Sequence, residues 1–278
     1  MIELPEAQIL SRQMQETYAG KTIVRVEVMK TPHGFAFFRG EPQRYPAALE
    51  GLKIAGAEAH GGRPAFRFAD GLRLSFNDGV NMRHITLSEK RPERHQFLLE
   101  FGDGCAMACT VRMYGFFGLY ATEAEVLEDF YYRVAIELPS PLDAAFDEAC
   151  FDGLMSGAKP TLSAKAFLAT EQRVPGLGNG VLQDILFNAG IHPKRKLNTL
   201  GDEDTARLFR SVKSTLRDMT EQGGRDTEKD LFNNKGGYRT ILSSKTLPYP
   251  CPVCGGGLVR QAYLGGNVYF CPTCQPLL

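Results

Sequence analysis

Four cysteines crowd into the last 28 residues as Cys251-x2-Cys254-x16-Cys271-x2-Cys274. Two C-x2-C pairs at this separation have the spacing of a four-thiolate zinc site. Each pair sets two sulfurs on one tight turn, and a β-hairpin between the turns brings the pairs around a tetrahedral ion. Four thiolates fill the coordination sphere and leave no open position for water, so such a zinc is structural. A module this small has little core, so metal binding would supply most of its folding free energy. The competing chemistry is a redox dithiol, but no thioredoxin-like βαβ pattern surrounds either pair. The other thiols, Cys105, Cys109 and Cys150, are scattered. Four clustered and three odd cysteines make a poor disulfide framework.

A second constellation is the glycine turn in QRVPGLGNGVLQDILFNAGIHPKRK. Pro175, Gly176, Gly178 and Asn179 separate two helical patterns, the first carrying Lys165, and Lys194, Arg195 and Lys196 follow the second. Amides at a helix N-terminus can bind phosphate, and Asn179 is placed to cap that helix or to donate to a phosphate oxygen. A plain helical hairpin explains the turn as well. His33, His60, His84, His95 and His192 show no ligand spacing with a carboxylate, and no Ser/His/Asp arrangement points to a hydrolase.

These groups need elements to hold them. Residues 1 to about 120 read as one short helix, LPEAQILSRQMQETYAG, closed by Gly20, and then as strands. The strand runs are TIVRVEVM, FAFFRG, KIAGAEAH, PAFRFADGLRLSF and FLLEFGDGCAMACTVRMYGFF. Asp70-Gly71 and Asp103-Gly104 are expected to turn hairpins in which both residues take positive φ. Short strands so spaced predict a sandwich or barrel. After an acidic stretch, LSAKAFLAT, NGVLQDILFNAG and EDTARLFRSVKSTLRDMTEQGG carry apolar residues at helical spacing. Gly190 and Gly223-Gly224 stop two of these helices. The final segment reads as two strands around a Gly-Gly turn, framed by the cysteine pairs. The expectation is an α+β protein: a β-sandwich over 1–122, a helical domain over 123–243 and a four-cysteine finger over 244–278.

Its 278 residues suit two domains and a small module. Lys+Arg and Asp+Glu both total 32, so bulk positive charge does not hold this protein to nucleic acid, although local patches can. No apolar run is long enough for a membrane span, and MIELPEAQ lacks the apolar core of a signal peptide. A cytoplasmic monomer is expected.

Taken together, the blocks resemble the Fpg/Nei DNA glycosylases, the family of formamidopyrimidine-DNA glycosylase and endonuclease VIII. VPGLGNGVLQDILFNAGIHP is similar to that family's helix–two-turn–helix segment, CPVCG…YFCPTCQ to its zinc-finger hairpin, and IELPEAQ to its N-terminal Pro-Glu-Leu-Pro-Glu. The blocks stand in the family's order, so the resemblance spans the chain, least clearly in the β domain. It implies a β-sandwich and a helical, zinc-bearing domain with DNA in the cleft between. It also implies a partner, duplex DNA carrying a damaged base or abasic site, and a base flipped out of the stack. In that chemistry an N-terminal proline amine attacks the sugar C1′, a Schiff base forms, and β/δ-elimination cuts the strand while the next Glu handles protons.

Mapped onto this sequence, the proline position is Ile2 and the proton-handling acid is Glu3. Met before a bulky β-branched residue is expected to be retained, which makes the Ile2 nitrogen an amide. The Met1 amine would then lie about 3.8 Å of chain further out, where reacting atoms need to be roughly 3–3.5 Å apart. The finger tip departs too: Gly266 stands where the family has an arginine that grips phosphate. Arg63, after Gly62, takes the place of a lysine and keeps its charge. Arg112 and Tyr114 are placed to fill the gap left by a flipped base, although Tyr114 also fits ordinary strand packing. Lys165 and Asn179 match positions that contact phosphate. Erosion at the amine and finger tip beside intact binding positions leaves three readings. They are an active glycosylase/lyase using Ile2 or Met1 with Glu3, a binder of damaged or distorted DNA that does not cut, and a protein adaptor whose DNA interaction is absent or salt-insensitive.

Overall fold

A computed structural model describes residues 1–277, and the chain forms two compact units. The first comprises Met1–Arg133 together with Gly223–Gly237, and the second comprises Val134–Gln222 and the stretch from Tyr238 onward.

The first unit opens with α1 (Leu4–Tyr18), which has Pro5 in its first turn, where a missing N–H costs nothing. Ala7, Leu10, Met14 and Tyr18 recur at three- and four-residue spacing, so one stripe of the helix is buried in the core. The strands of the N-terminal β-sandwich are β1 (Ile23–Val28), β2 (Ala36–Phe38), β3 (Ile54–His60), β4 (Arg63–Phe68), β5 (Arg73–Ile85), β6 (Phe97–Phe101) and β7 (Ala106–Tyr120). They hydrogen-bond in the order β1-β6-β7-β5-β4-β3, with β2 added to β7. Every pairing is antiparallel except β2 with β7. Phe66, Phe76, Phe97 and Phe117 fill the space between, with ring pairs such as Phe97–Phe117 at 5.3 Å. The helix α2 (Tyr45–Leu49) is unannounced in the sequence pattern; Tyr45 fixes it by donating its hydroxyl to the Phe117 carbonyl at 2.9 Å.

Both Asp-Gly pairs turn hairpins as expected, but not with both residues at positive φ. Only Gly71 (φ 88°) and Gly104 (φ 82°) are left-handed. The aspartates act through their side chains: Asp70 accepts from the Leu72 amide and Asp103 from the Cys105 amide, both at 3.1 Å.

Two short helices follow the sheet, α3 (Glu123–Glu128) and α4 (Phe130–Glu137). The second unit holds α5 (Glu148–Ser156), α6 (Ala164–Ala169), α7 (Val181–Asn188), α8 (Asp202–Glu221), and a hairpin of β8 (Val259–Tyr263) with β9 (Gly266–Phe270). Asp147 and Ser163 cap α5 and α6 by accepting from the amides of Cys150 and Ala166. The first seven residues of α7 are buried, whereas α8 buries only the stripe through Leu208, Val212, Leu216 and Met219. Leu264 (φ 48°) and Gly265 (φ 72°) make the hairpin turn, so the turn is not the expected Gly-Gly pair and Gly266 is already the first residue of β9. Among the described residues no helix is long and apolar enough to cross a membrane.

Candidate nucleic-acid interface and metal centre

The N-terminus of the first unit is held by both backbone and charge. Ile2 donates its N–H to the Asp78 carbonyl at 2.7 Å in an antiparallel bridge, and its side chain joins the core. Glu3 caps α1, its backbone N–H reaching the Glu6 carboxylate at 3.3 Å. Its own carboxylate lies in an enclosed site, 2% exposed, with an oxygen 3.3 Å from Nη1 of Arg225. Arg225 binds Glu6 as well, through Nε at 3.0 Å, Nη2 at 2.7 Å and its backbone amide at 3.2 Å. Nη2 also reaches the Met1 carbonyl at 3.3 Å, and the Met1 amine meets Glu228 at 2.5 Å. Burial opposes the charge on Arg225, yet Glu3 and Glu6 hold its guanidinium well above the ordinary range. Sequence reasoning missed Arg225. It lies 222 positions from Glu3 in a loop of mixed charge, and only tertiary contact pairs it with the start of the chain.

Nearby, Asp78 sits at positive φ (56°) beside an irregularity in β5. Burial pushes its carboxyl up, with Arg63 pulling the other way. Arg63, the first residue of β4, is 9% exposed. Its Nη1 is 3.3 Å from Asp129, which also accepts from the Tyr120 hydroxyl at 2.8 Å, and its guanidinium lies 5.5 Å from the Tyr132 ring centre. Arg112 and Tyr114 are both exposed on β7. The Tyr114 ring is therefore not part of the packed core; burial, then Asp78 and Glu3, raise its hydroxyl pKa.

In the second unit, Lys165 and Asn179 come together on the hairpin. Lys165 donates from Nζ to the Tyr263 carbonyl at 2.5 Å, and burial lowers its pKa. Lys194 lies 5.1 Å from the Tyr263 ring centre. Asn179 donates from Nδ2 to the Asn267 carbonyl at 3.0 Å. It does not cap α7, whose N-cap residue is Gly180. Gln183, one helical turn on, donates to the same Asn267 carbonyl at 3.1 Å and accepts from the Tyr269 amide at 2.9 Å. Gly266 faces Asn179: a Cβ added there would lie 3.5 Å from the Asn179 amide group. Asp184, fully buried, accepts from the Ile241 and Leu242 amides, both at 2.8 Å. Gln183 and Asp184 were also missed, because a polar pair on an otherwise apolar helix does not reveal which backbone it will satisfy.

The four cysteines converge, their sulfurs all within 4.8 Å of one another. Across the two pairs, the Cys251 and Cys274 sulfurs are 3.7 Å apart and those of Cys254 and Cys271 3.4 Å. The Gly256 amide pulls the Cys254 thiol down to about 7, while burial pushes Cys274 up to about 12. Four sulfurs so arranged could hold a metal ion.

Two family models match this chain: the formamidopyrimidine-DNA glycosylase N-terminal domain over residues 1–148, and the formamidopyrimidine-DNA glycosylase H2TH domain over residues 139–230. Among curated relatives, the formamidopyrimidine-DNA glycosylase of Acidiphilium cryptum is 30% identical, covering 99% of this chain and 100% of its own. That of Brevibacillus brevis is 27% identical over 99% of each. Among solved structures, the Lactococcus lactis Fpg bound to abasic-site DNA superposes with a TM-score of 0.82 at 26% identity, over 98% of this chain and 99% of that one. The same enzyme with DNA containing Fapy-dG gives 0.83 at 26% identity, over 99% and 100%.

Proposed function

The chain belongs to the formamidopyrimidine-DNA glycosylase (Fpg/Nei) family, and on that premise we propose that it is a base-excision-repair protein that binds duplex DNA at a damaged base or abasic site. In this reading Lys165 and Asn179 exchange their hairpin carbonyl contacts for phosphate, Arg112 and Tyr114 enter the gap left by a flipped base, and Arg63 adds positive potential behind them. The protein acts in the cytoplasm, as a monomer, on chromosomal DNA.

The family's amine chemistry is not run through Ile2 and Glu3. The observation that carries this half of the reading is the Glu3 carboxylate, buried and within 3.3 Å of the Arg225 guanidinium. An acid so paired is committed to a guanidinium and shut away from solvent, whereas a proton-handling acid must reach the reacting sugar. With Met1 in place the Ile2 nitrogen is an amide, and its hydrogen is already given to Asp78.

Cys251, Cys254, Cys271 and Cys274 would hold zinc. A tetrahedral ion about 2.3 Å from each sulfur sets the sulfurs roughly 3.8 Å apart, which these thiols approach without rearrangement. Its contribution is to hold the hairpin on which Lys165, Asn179 and Gln183 converge. The test is a salt titration of binding to abasic and undamaged duplexes by fluorescence anisotropy, with metal analysis of the same sample. We expect one zinc per chain, preference for the abasic duplex, and affinity that falls with salt in proportion to the phosphates contacted. Binding that ignores both lesion and salt would contradict the reading.

A further inference from the structure

Strand β2 is placed where the sequence does not suggest a partner. It runs parallel to the second half of β7, pairing Ala36 with Gly115, Phe37 with Phe116 and Phe38 with Phe117. Phe38 and Phe117 point inward and stack at 4.7 Å, with Phe117 fully buried. Alternation along a strand therefore puts Phe37 and Phe116 on the outer face, with Phe35 two residues before Phe37. Phe35 is 61% exposed and Phe37 48%, and the Phe35 carbonyl accepts from the Gly115 amide at 3.0 Å.

Beside these rings β7 leaves the ladder. Gly115 pairs with Asp78 and Val111 with Val80, so Arg112, Met113 and Tyr114 stand opposite the single residue Gly79. Such a bulge forces the extra residues outward, and all three are exposed. Among the described residues Phe37, Tyr114 and Phe116 have no aromatic ring partner, and Arg112 has no hydrogen-bond or ion-pair partner.

We propose that Phe35, Phe37 and Phe116, with Tyr114 and Arg112 on the adjoining bulge, form a stacking platform for unpaired bases of a DNA strand. The preferred substrate is then DNA whose lesion lies in or next to a single-stranded stretch, such as a gap or bubble. This rests on the DNA-binding reading above and names its substrate class. Two features select bases over a protein partner. The outer face is built of rings that can accept any base, and Phe37 and Phe116, paired across neighbouring strands whose backbones lie about 4.8 Å apart, have no ring partner of their own and are left to take bases. The cation beside the rings, free of any carboxylate, suits a phosphate backbone. Sheet faces of this composition read single strands by stacking in other nucleic-acid-binding folds.

The test uses the full chain, a fluorescein-labelled thymidine 12-mer and an abasic-site duplex, with anisotropy as the readout. Three double variants are compared: F35A/F37A, F35L/F37L and F35Y/F37Y. Loss of base stacking should weaken 12-mer binding by about tenfold or more in the Ala and Leu variants, while the Tyr variant stays near wild type. All three should bind the abasic duplex as wild type does and unfold at its urea midpoint, since both side chains are exposed. Undiminished 12-mer binding by F35A/F37A would overturn the inference, and so would Leu serving as well as Phe. Wild-type binding to the duplex but not to the 12-mer would overturn it and leave the damaged-DNA reading standing. Binding to the 12-mer but not to the duplex would do the reverse, and binding to neither would remove both. A concentration-dependent dimer in size-exclusion chromatography that F35A/F37A abolishes would reassign the rings to protein contact and overturn the inference.

Discussion

Arg225 reaches back across nearly the whole sequence to stand 3.3 Å from Glu3, and both side chains are shut away from solvent. Glu6 completes the arrangement, so one guanidinium serves two carboxylates. Removing one partner of a buried ion pair strands the others in a low-dielectric site, at a cost of about 3–5 kcal/mol. Arg225→Met should lower stability by that order in urea denaturation. Adding Glu3→Gln and Glu6→Gln to it should recover most of the loss, because no unpaired charge remains. A loss below about 1 kcal/mol for Arg225→Met would mean that the charges are hydrated.

The finger tip offers a gain-of-function test. A Cβ at Gly266 would meet Asn179 at 3.5 Å, an ordinary contact, and the backbone there is not left-handed. Gly266→Arg should therefore be accommodated and should add a cation beside Lys165 and Asn179. Abasic-duplex affinity should rise about tenfold, as expected for a charge-assisted phosphate bond. The slope of log affinity against log salt should steepen by about 0.9, the value for one further phosphate contact. An unchanged slope would place this turn away from the DNA.

Asp78 carries a pH signature. Because burial raises its carboxyl pKa, the folded protein binds this proton more readily than the unfolded chain does. The stabilisation from that proton is therefore complete below the unfolded value of about 3.9 and is lost as pH rises through the raised folded value. Asp78→Asn cannot ionise, and asparagine tolerates the positive φ at least as well. The variant should be more stable than wild type at pH 7, with the difference shrinking by pH 3. Paired urea midpoints at the two pH values measure it, and a difference that grows in acid would refute the assignment.

What the sequence discloses follows from how local each signal is. The cysteine spacing announces the metal centre because both pairs and the hairpin between them fall within 24 residues. Helical periodicity marks α7 and α8, since a stripe of Leu and Val repeats within one element. Pairings between distant segments leave no such mark. The parallel addition of β2 to β7, the return of residues 223–237 to the first unit, and the clamp of Arg225 on Glu3 each depend on contacts tens to hundreds of residues apart. Fine turn chemistry escapes for another reason. Asp70 and Asp103 can serve a hairpin either by left-handed backbone or by side-chain acceptance, and residue type alone does not choose between them.

The central claim is that this scaffold holds damaged DNA while Ile2 and Glu3 no longer perform the family's amine chemistry. Borohydride trapping on a duplex containing one abasic site, with a gel shift on the same duplex, tests it most directly. The account predicts a shifted complex and no covalent adduct. An adduct that peptide mapping places on the N-terminal residue would contradict it, because an amine there would still be reaching C1′.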